Sequence, residues 1–232
     1  MAASLGDLMM PNVLPFNMSS SHASIRSAYD IASAEYSRKF INELDHKPFD
    51  RDLLKRFAGL VGAGNPVLDI GCGPGHTTAY LNSLGLSATG IDLSPRMIEH
   101  AAESFQESRF EVGDFFSLSR ASSSIAGILA FYCIVHLTQD QLVSAFTEMF
   151  RVLRADGVLL LSFHVGSEVI HAENFLGTNA VLDFTFFQPF QIETALTKVG
   201  FAPVEVIIRE PYETEHPSKR CYIMAHKPKR MA

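Results

Sequence analysis

Three acids and three glycines carry the first chemical signal in this chain. Asp69 follows a short apolar run, Asp92 and Asp114 close the two strands expected after it, and Gly71, Gly73 and Gly75 stand just after Asp69 in G-x-G-x-G spacing. Glycines in such a turn let the chain tighten and let a ligand approach the main chain with no Cβ in the way. A dinucleotide fingerprint would read G-x-G-x-x-G, but position 76 is His, and the Gly-Lys-Ser/Thr ending of a P-loop is absent. The loop therefore suits a nucleoside ligand without a pyrophosphate. An acid at the end of the next strand suits the ribose of such a ligand, because a carboxylate accepts hydrogens from both hydroxyls. Asp92 takes that role, set against the plainer reading of a helix-capping Asp.

Two histidines are candidates for proton chemistry, since an imidazole with a pKa of about 6.5 accepts a proton at neutral pH. His136 lies a few residues past the fourth strand and just before a capped helix start. It is the first candidate general base, against the reading that it only orders the turn. His164 ends the fifth strand and is the nearest rival, with Glu215 and His216 further off on a polar loop.

The elements that position these groups alternate between strand and helix. Residues 22 to 44 carry Ile25, Tyr29, Ala32, Tyr36, Phe40 and Leu44 at helical spacing, so one amphipathic helix is expected, with Tyr29 and Tyr36 on one face. Asp50 reads as the N-cap of a helix from Arg51 to Val61. Strands are expected at Val67–Ile70, Ala88–Asp92, Arg109–Val112, Ile125–Phe131 and Val158–Phe163, with helices from Pro74 to Leu84, from Pro95, and from the Thr138-x-x-Gln141 capping box through Leu153. Residues 164 to 187 exceed an ordinary connection, and the alternation within 181 to 187 suggests an extra strand or hairpin. A helix from Pro189 to Gly200 follows, then strands at Pro203–Arg209 and Lys219–His226, the last with an edge-like alternation. The alternation predicts a doubly wound α/β sheet. Such sheets bind ligands beyond the carboxyl ends of their strands, where Asp69, Asp92, Asp114, Tyr132 and His164 all fall.

Asp69 to Gly75, with Asp92 closing the second strand and Asp114-Phe115 closing the third, resembles the class I, Rossmann-like S-adenosylmethionine-dependent methyltransferases of the small-molecule type. The likeness runs over residues 22 to 228. It implies one α/β domain with a mostly parallel seven-stranded sheet and an antiparallel last strand. It also implies a helical lid over 22 to 62 and an acceptor-side insertion over 165 to 187. S-adenosylmethionine would be the cofactor and S-adenosylhomocysteine its product. In the resemblance Asp114 reads the adenine amino group, Phe115 donates its backbone amide, and Leu93 and Met97 hold the ring. Gly71 and Gly73 face the methionine moiety, with Asp69 beneath its amine. Tyr29 and Tyr36 present their face to the sulfonium as cation–π partners. Cys72, a small filler in the loop, and Phe131 complete that wall.

The acceptor is named less sharply. The Asn/Asp-Pro-Pro-aromatic motif of enzymes that methylate exocyclic base amines is absent after strand four, where Phe131-Tyr132-Cys133-Ile134 stands. Tyr132, His164, Phe175, Phe186, Phe187 and Tyr212 are candidate acceptor walls and suggest an apolar or aromatic small molecule. Two alternatives stay open: a non-methylating reaction on the same fold, such as a decarboxylation or pericyclic step, and a cofactor-binding regulatory or scaffold subunit.

Composition narrows the partners. The 232 residues carry a formal charge of −6 with no long basic run, which argues against nucleic acid or an anionic membrane as the main partner. The three cysteines show no C-x-x-C pairing, so neither a disulfide framework nor a metal site is indicated, and a cytoplasmic setting fits. No apolar run reaches membrane-spanning length. Residues 1 to 21 read as a disordered leader, and a monomer or homodimer is expected.

Overall fold

The computed structural model describes residues 21 to 229. The expected leader lies outside the described residues except for Ser21, whose Oγ accepts the Ser24 N–H as the N-cap of the first helix.

Nine strands and six α-helices follow in order among the described residues: α1 His22–Phe40, α2 Pro48–Val61, β1 Pro66–Ile70, α3 His76–Ser83, β2 Ser87–Asp92, α4 Pro95–Ser104, β3 Arg109–Val112, β4 Ile125–Phe131, α5 Gln139–Val152, β5 Leu153–His164, β6 Val169–Ala172, β7 Leu182–Thr185, α6 Pro189–Val199, β8 Ala202–Arg209 and β9 Arg220–His226. Seven strands form one sheet in the order β3-β2-β1-β4-β5-β9-β8. The pairings from β3 across to β5 are parallel, and β9 runs antiparallel to both β5 and β8. This is the doubly wound sheet with an antiparallel last strand.

Successive side chains point to opposite faces, so each strand feeds two cores. Leu68, Ile128, Leu159 and Leu161 pack with Leu142, Phe146 and Met149 of α5 and with Ile192 and Leu196 of α6. Val67, Leu129, Leu160 and Met224 pack with Leu54, Phe57 and Val61 of α2. Gly127 lets α2 come this close, since a Cβ there would stand 2.8 Å from the Phe57 ring. A third apolar cluster lies outside the sheet. It joins Ile25, Ala28 and Ala32 of α1 to Val135, Phe175, Leu182, Phe184 and Phe186. Strands β6 and β7 pair as an antiparallel hairpin, as the alternation within 181 to 187 suggests.

The structure corrects several boundaries. The helix expected over 22 to 44 ends at Phe40, and Leu44 sits in a separate 3₁₀ turn, Glu43–His46. The second helix starts at Pro48, so Asp50 lies inside its first turn instead of capping it. There it is buried and accepts the Tyr222 hydroxyl hydrogen at 2.9 Å. The third helix begins at His76 because Gly75 is left-handed, with φ 86°, and still belongs to the turn. Strand β9 is not edge-like: β5 and β8 flank it, it is buried on both faces, and β8 forms the edge.

Candidate active site: two cavities meeting at three tyrosines

The glycine turn is locked to β2 from below. Gly71 and Cys72 both donate their N–H to the Ile91 carbonyl, at 2.7 and 3.1 Å. Gly71 has φ +69°, and a Cβ there would fall 2.5 Å from the Cys133 Cβ, so only glycine fits. Gly73 N–H donates to Asp92 Oδ2 and Ser94 N–H to Oδ1, both at 2.9 Å. Burial pushes the Asp92 carboxyl up to about 6 despite these donors. A carboxylate at the cavity wall that burial holds back from ionising is a site that donor hydroxyls of a ligand would stabilise.

A cavity opens here, lined by Gly71, Gly73, Asp92, Leu93, Met97, Asp114, Phe115 and Phe131. All eight are expected cofactor residues, brought together from four strand ends. Asp114 holds the far end, with Oδ1 accepting the Phe116 N–H at 2.8 Å and Oδ2 meeting His22 Nδ1 at 2.7 Å. His22 stacks on Phe116, so the start of α1 covers this end of the cavity.

Two expected cofactor residues are not in that wall. Asp69 is 1% exposed and accepts the hydroxyl hydrogens of Thr77 and Thr78 at 2.6 Å each. It anchors α3 to β1 and shapes the glycine turn from behind. Cys72 is buried on the same side, and burial raises its thiol pKa well above the ordinary range, which makes it inert.

A second cavity adjoins the first. Tyr29, Tyr36 and Tyr132 line both and mark the junction. Tyr29 and Tyr36 meet edge to face at 5.9 Å, as their shared helical face requires. Tyr132 reaches the junction through a left-handed backbone, φ 52°, a conformation a bulky residue holds only under constraint. Its N–H is fixed on the Ser162 carbonyl at 3.0 Å. The second cavity is otherwise aromatic and polar by turns: Phe40, Phe175, Phe184 and Phe186, with Glu43, Lys47, His164 and His216.

The histidines divide. His136 lines the first cavity, but both ring nitrogens are engaged, Nε2 with the Tyr29 hydroxyl and Nδ1 with the Asp183 carbonyl, each at 2.7 Å. No lone pair is left for a substrate, so a base at His136 does not fit this geometry. His164 lines the second cavity with Nδ1 on Ser218 Oγ at 2.8 Å. Among the expected acceptor residues, Tyr132, His164, Phe175 and Phe186 meet in this cavity, whereas Phe187 and Tyr212 do not. Phe187 belongs to the main core, 1% exposed, because its neighbour Phe186 takes the opposite face of the chain. Tyr212 lies against the Arg209 guanidinium at 4.1 Å and accepts the Phe49 N–H.

Sequence reasoning misses His22, Cys133, Gln141, Glu43 and Ser218. Glu43 and Lys47 pair at 2.8 Å, and their i, i+4 spacing is the one signal that could have found them. The contact of Cys133 with Gly71 has no signature in the chain.

Residues 67 to 157 match the family model of a methyltransferase domain. The matched stretch, well under half of the chain, holds the glycine turn, the three acids and the turn after β4. A malonyl-[acyl-carrier protein] O-methyltransferase of Pectobacterium atrosepticum is 33% identical over 101 residues, 42% of this chain and 38% of that protein. The enzyme of the same name from Serratia marcescens is 28% identical over 114 residues, 48% of this chain and 44% of that one. The match thus spans less than half the length of either. A Burkholderia thailandensis 1,6-didemethyltoxoflavin-N1-methyltransferase, solved with its acceptor and S-adenosylhomocysteine, superimposes with a TM-score of 0.71 over 95% of both chains at 20% identity. That likeness shows the class I, Rossmann-like methyltransferase fold extending past the matched segment. No helix among the described residues is long and apolar enough to cross a membrane.

Proposed function

We propose that this chain binds S-adenosylmethionine in the first cavity and transfers its methyl group to a small apolar or aromatic acceptor in the second. The observation that carries the reading is the junction: two adjoining cavities, one ending in Asp92 and Asp114 and one walled by phenylalanines, share Tyr29, Tyr36 and Tyr132. The donor set fits the cofactor. Asp92 would take the ribose hydroxyls, Asp114 and the Phe115 backbone the adenine, Leu93 and Met97 its faces, and the Gly71–Gly73 turn the methionine end. When bound, S-adenosylmethionine supplies a methyl group on a positively charged sulfur.

The chain's own part is orientation and exclusion of water. Three tyrosine rings at the junction present electron-rich faces to a cation and leave little room for solvent. Holding an acceptor atom about 3–3.5 Å from the methyl carbon is worth far more than any single contact. In this reading α1 is a lid and the β6–β7 hairpin forms the acceptor side, both closing over the site through their shared apolar cluster. The acceptor is a free small molecule in the cytoplasm, and neither nucleic acid nor membrane is a partner.

Calorimetry with S-adenosylhomocysteine tests the first half. Asp92→Ala removes two charge-assisted hydrogen bonds, each worth about 1.5–3 kcal/mol, so affinity should fall at least about tenfold. Unchanged affinity would remove Asp92 from the ribose. A labelled-methyl assay against a metabolite extract tests the second half, because label retained on the cofactor during turnover would mean a non-methylating reaction.

A further inference from the structure

His164 ends β5 and lies flat on Phe186, with 4.8 Å between ring centroids and 12° between planes. Its Nε2 makes no hydrogen bond among the described residues, and the ring lines the second cavity. Its Nδ1 meets Ser218 Oγ at 2.8 Å. The same oxygen is met by Arg220 Nη1 and by His216 Nδ1, both at 3.1 Å.

The hydrogen count sets the direction of these contacts. A guanidinium only donates, so Arg220 fills one lone pair of Ser218 Oγ. Ser218 N–H donates to His216 Nδ1 at 3.2 Å, so that nitrogen is an acceptor. The one hydroxyl hydrogen of Ser218 then serves either imidazole. Given to His164, it leaves Ser218 Oγ and His216 Nδ1 facing each other with lone pairs. Given to His216, it lets Oγ accept the Nδ1–H of His164, and each close contact holds one hydrogen. This second assignment, made from the network, leaves Nε2 of His164 as a bare lone pair.

We propose that His164, Ser218 and His216 form a proton relay along the wall of the second cavity, and that the acceptor is an aromatic hydroxyl. The proposal rests on the methyl-transfer reading above. The acceptor O–H bond breaks as Nε2 of His164 takes the proton. Nδ1 passes its hydrogen to Ser218 Oγ, and Ser218 passes its own to His216 Nδ1. His216, only partly buried, releases its Nε2 hydrogen to water. The freed oxygen pair forms the bond to the methyl carbon, and the pair of the broken C–S bond stays on sulfur.

The surroundings favour a relay over a stored charge. Burial, then Arg220, His216 and Lys47, holds the His164 imidazole well below its ordinary range, so a lasting imidazolium is disfavoured; Glu215 opposes them weakly. Glu43 is already paired with Lys47, and Tyr132 lies beside His164. Lys47 and Arg220 bring positive charge to this end of the cavity, offset in part by Glu43 and Glu215, which pair with them. A phenol, with a pKa of about 10, needs that help at neutral pH, whereas an amine attacks through its own lone pair. The walls of Phe40, Phe175, Phe184 and Phe186 suit a flat ring.

The test uses the full chain saturated with S-adenosylhomocysteine. Histidine nitrogen NMR at neutral pH should show His164 protonated at Nδ1 and bare at Nε2; the opposite tautomer overturns the relay. Para-nitrophenol, whose phenolate absorbs in the visible, is then titrated into the same sample. Its acid constant when bound should rise by about tenfold or more over the free value. Ser218→Ala should reverse at least about a third of that shift in logarithmic units and Ser218→Thr should keep it. A purely structural Ser218 would lower the melting temperature of Ser218→Ala without moving the phenol, which overturns the relay. Absent binding or an unshifted phenol overturns the aromatic hydroxyl. Failure of S-adenosylhomocysteine itself to bind strikes the methyl-transfer reading instead.

Discussion

Tyr29 donates its hydroxyl hydrogen to Nε2 of His136 across 2.7 Å, and His136 Nδ1 in turn donates to the Asp183 carbonyl. One imidazole thereby joins α1, the turn after β4 and the β6–β7 hairpin. Only the Nδ1–H tautomer serves both contacts, because a carbonyl oxygen only accepts. Burial, partly offset by Asp183, holds this imidazole down to about 4 against an ordinary 6.5. Between those values the unfolded chain binds a proton that the folded chain refuses, so stability rises with pH over that window. His136→Gln should flatten the rise, as measured by urea unfolding across about pH 4 to 7. An unchanged slope would assign it to another group. Tyr29→Phe leaves Nε2 without its donor, at a cost of about 1–3 kcal/mol, and should speed hydrogen exchange across α1.

Asp92 gives a second pH dependence, this time in binding. Burial raises its carboxyl to about 6 from an ordinary 3.8, with Ser94 and Gly73 as its backbone donors. Ribose hydroxyls hydrogen-bond the ionised form and pull the value back down. Binding therefore expels a proton below about pH 6, and affinity for S-adenosylhomocysteine should rise toward neutrality and then level off. Calorimetry in buffers of different ionisation enthalpy would show the proton release directly. A flat affinity with no released proton would mean that the ligand does not touch this carboxylate.

Glu43 is the mirror case. Burial alone would raise its carboxyl, but Lys47 Nζ at 2.8 Å and His76 Nε2 at 3.0 Å hold it down to about 2. A depressed carboxylate stabilises the fold above its unfolded value of about 4.3 and loses that contribution as pH falls through the folded value. Glu43→Gln should therefore be less stable than the parent at neutral pH, with the gap closing between about pH 4 and pH 2. A gap that persists at the acid end would mean that the loss comes from packing.

The fold was legible where local pattern and global position agree. The strand ends carrying Asp92 and Asp114 could be read because each acid closes a short strand-like stretch next to a loop or capped helix start, even though β3 is an exposed edge strand. Tyr29 and Tyr36 could be read because seven residues return the same helical face. Asp69 ends its strand as the other acids do, yet it lies behind the turn and outside the cavity wall. Its demand for donors is met by Thr77 and Thr78, and a strand end alone does not say which way the last side chain points. Asp50 looked like a cap because Asp favours that position, yet Tyr222, far along the chain, claims it. The second cavity was the least legible, since Glu43 and Lys47 come from the short turn after α1 and His216 from the loop before β9, and nothing local in the chain says that the two meet.

Phe186 and Phe187 make the sharpest test of that cavity, because they are neighbours in sequence and opposites in space. Phe187 is 1% exposed in the main core with Phe163 and Ile192, and its amide donates to the His164 carbonyl at 3.1 Å. Truncation there leaves a void among groups that cannot collapse, and Phe→Ala in such sites costs about 3–5 kcal/mol. Phe186 is also buried, but it faces the second cavity, with His164 stacked on one side and His216 edge-on at 5.5 Å. Its truncation widens a space that is already there and frees the His164 ring. Phe187→Ala should therefore lower the melting temperature markedly, and any loss of S-adenosylhomocysteine binding should track that loss of folding. Phe186→Ala should keep cofactor affinity within about threefold, below 1 kcal/mol, while changing the binding of aromatic probes. Calorimetry with the cofactor product and fluorescence titration with an aromatic probe, on both variants, separate the two. Equal melting temperatures and equal losses of both ligands would mean that the two rings form one core and that the second cavity does not choose the acceptor.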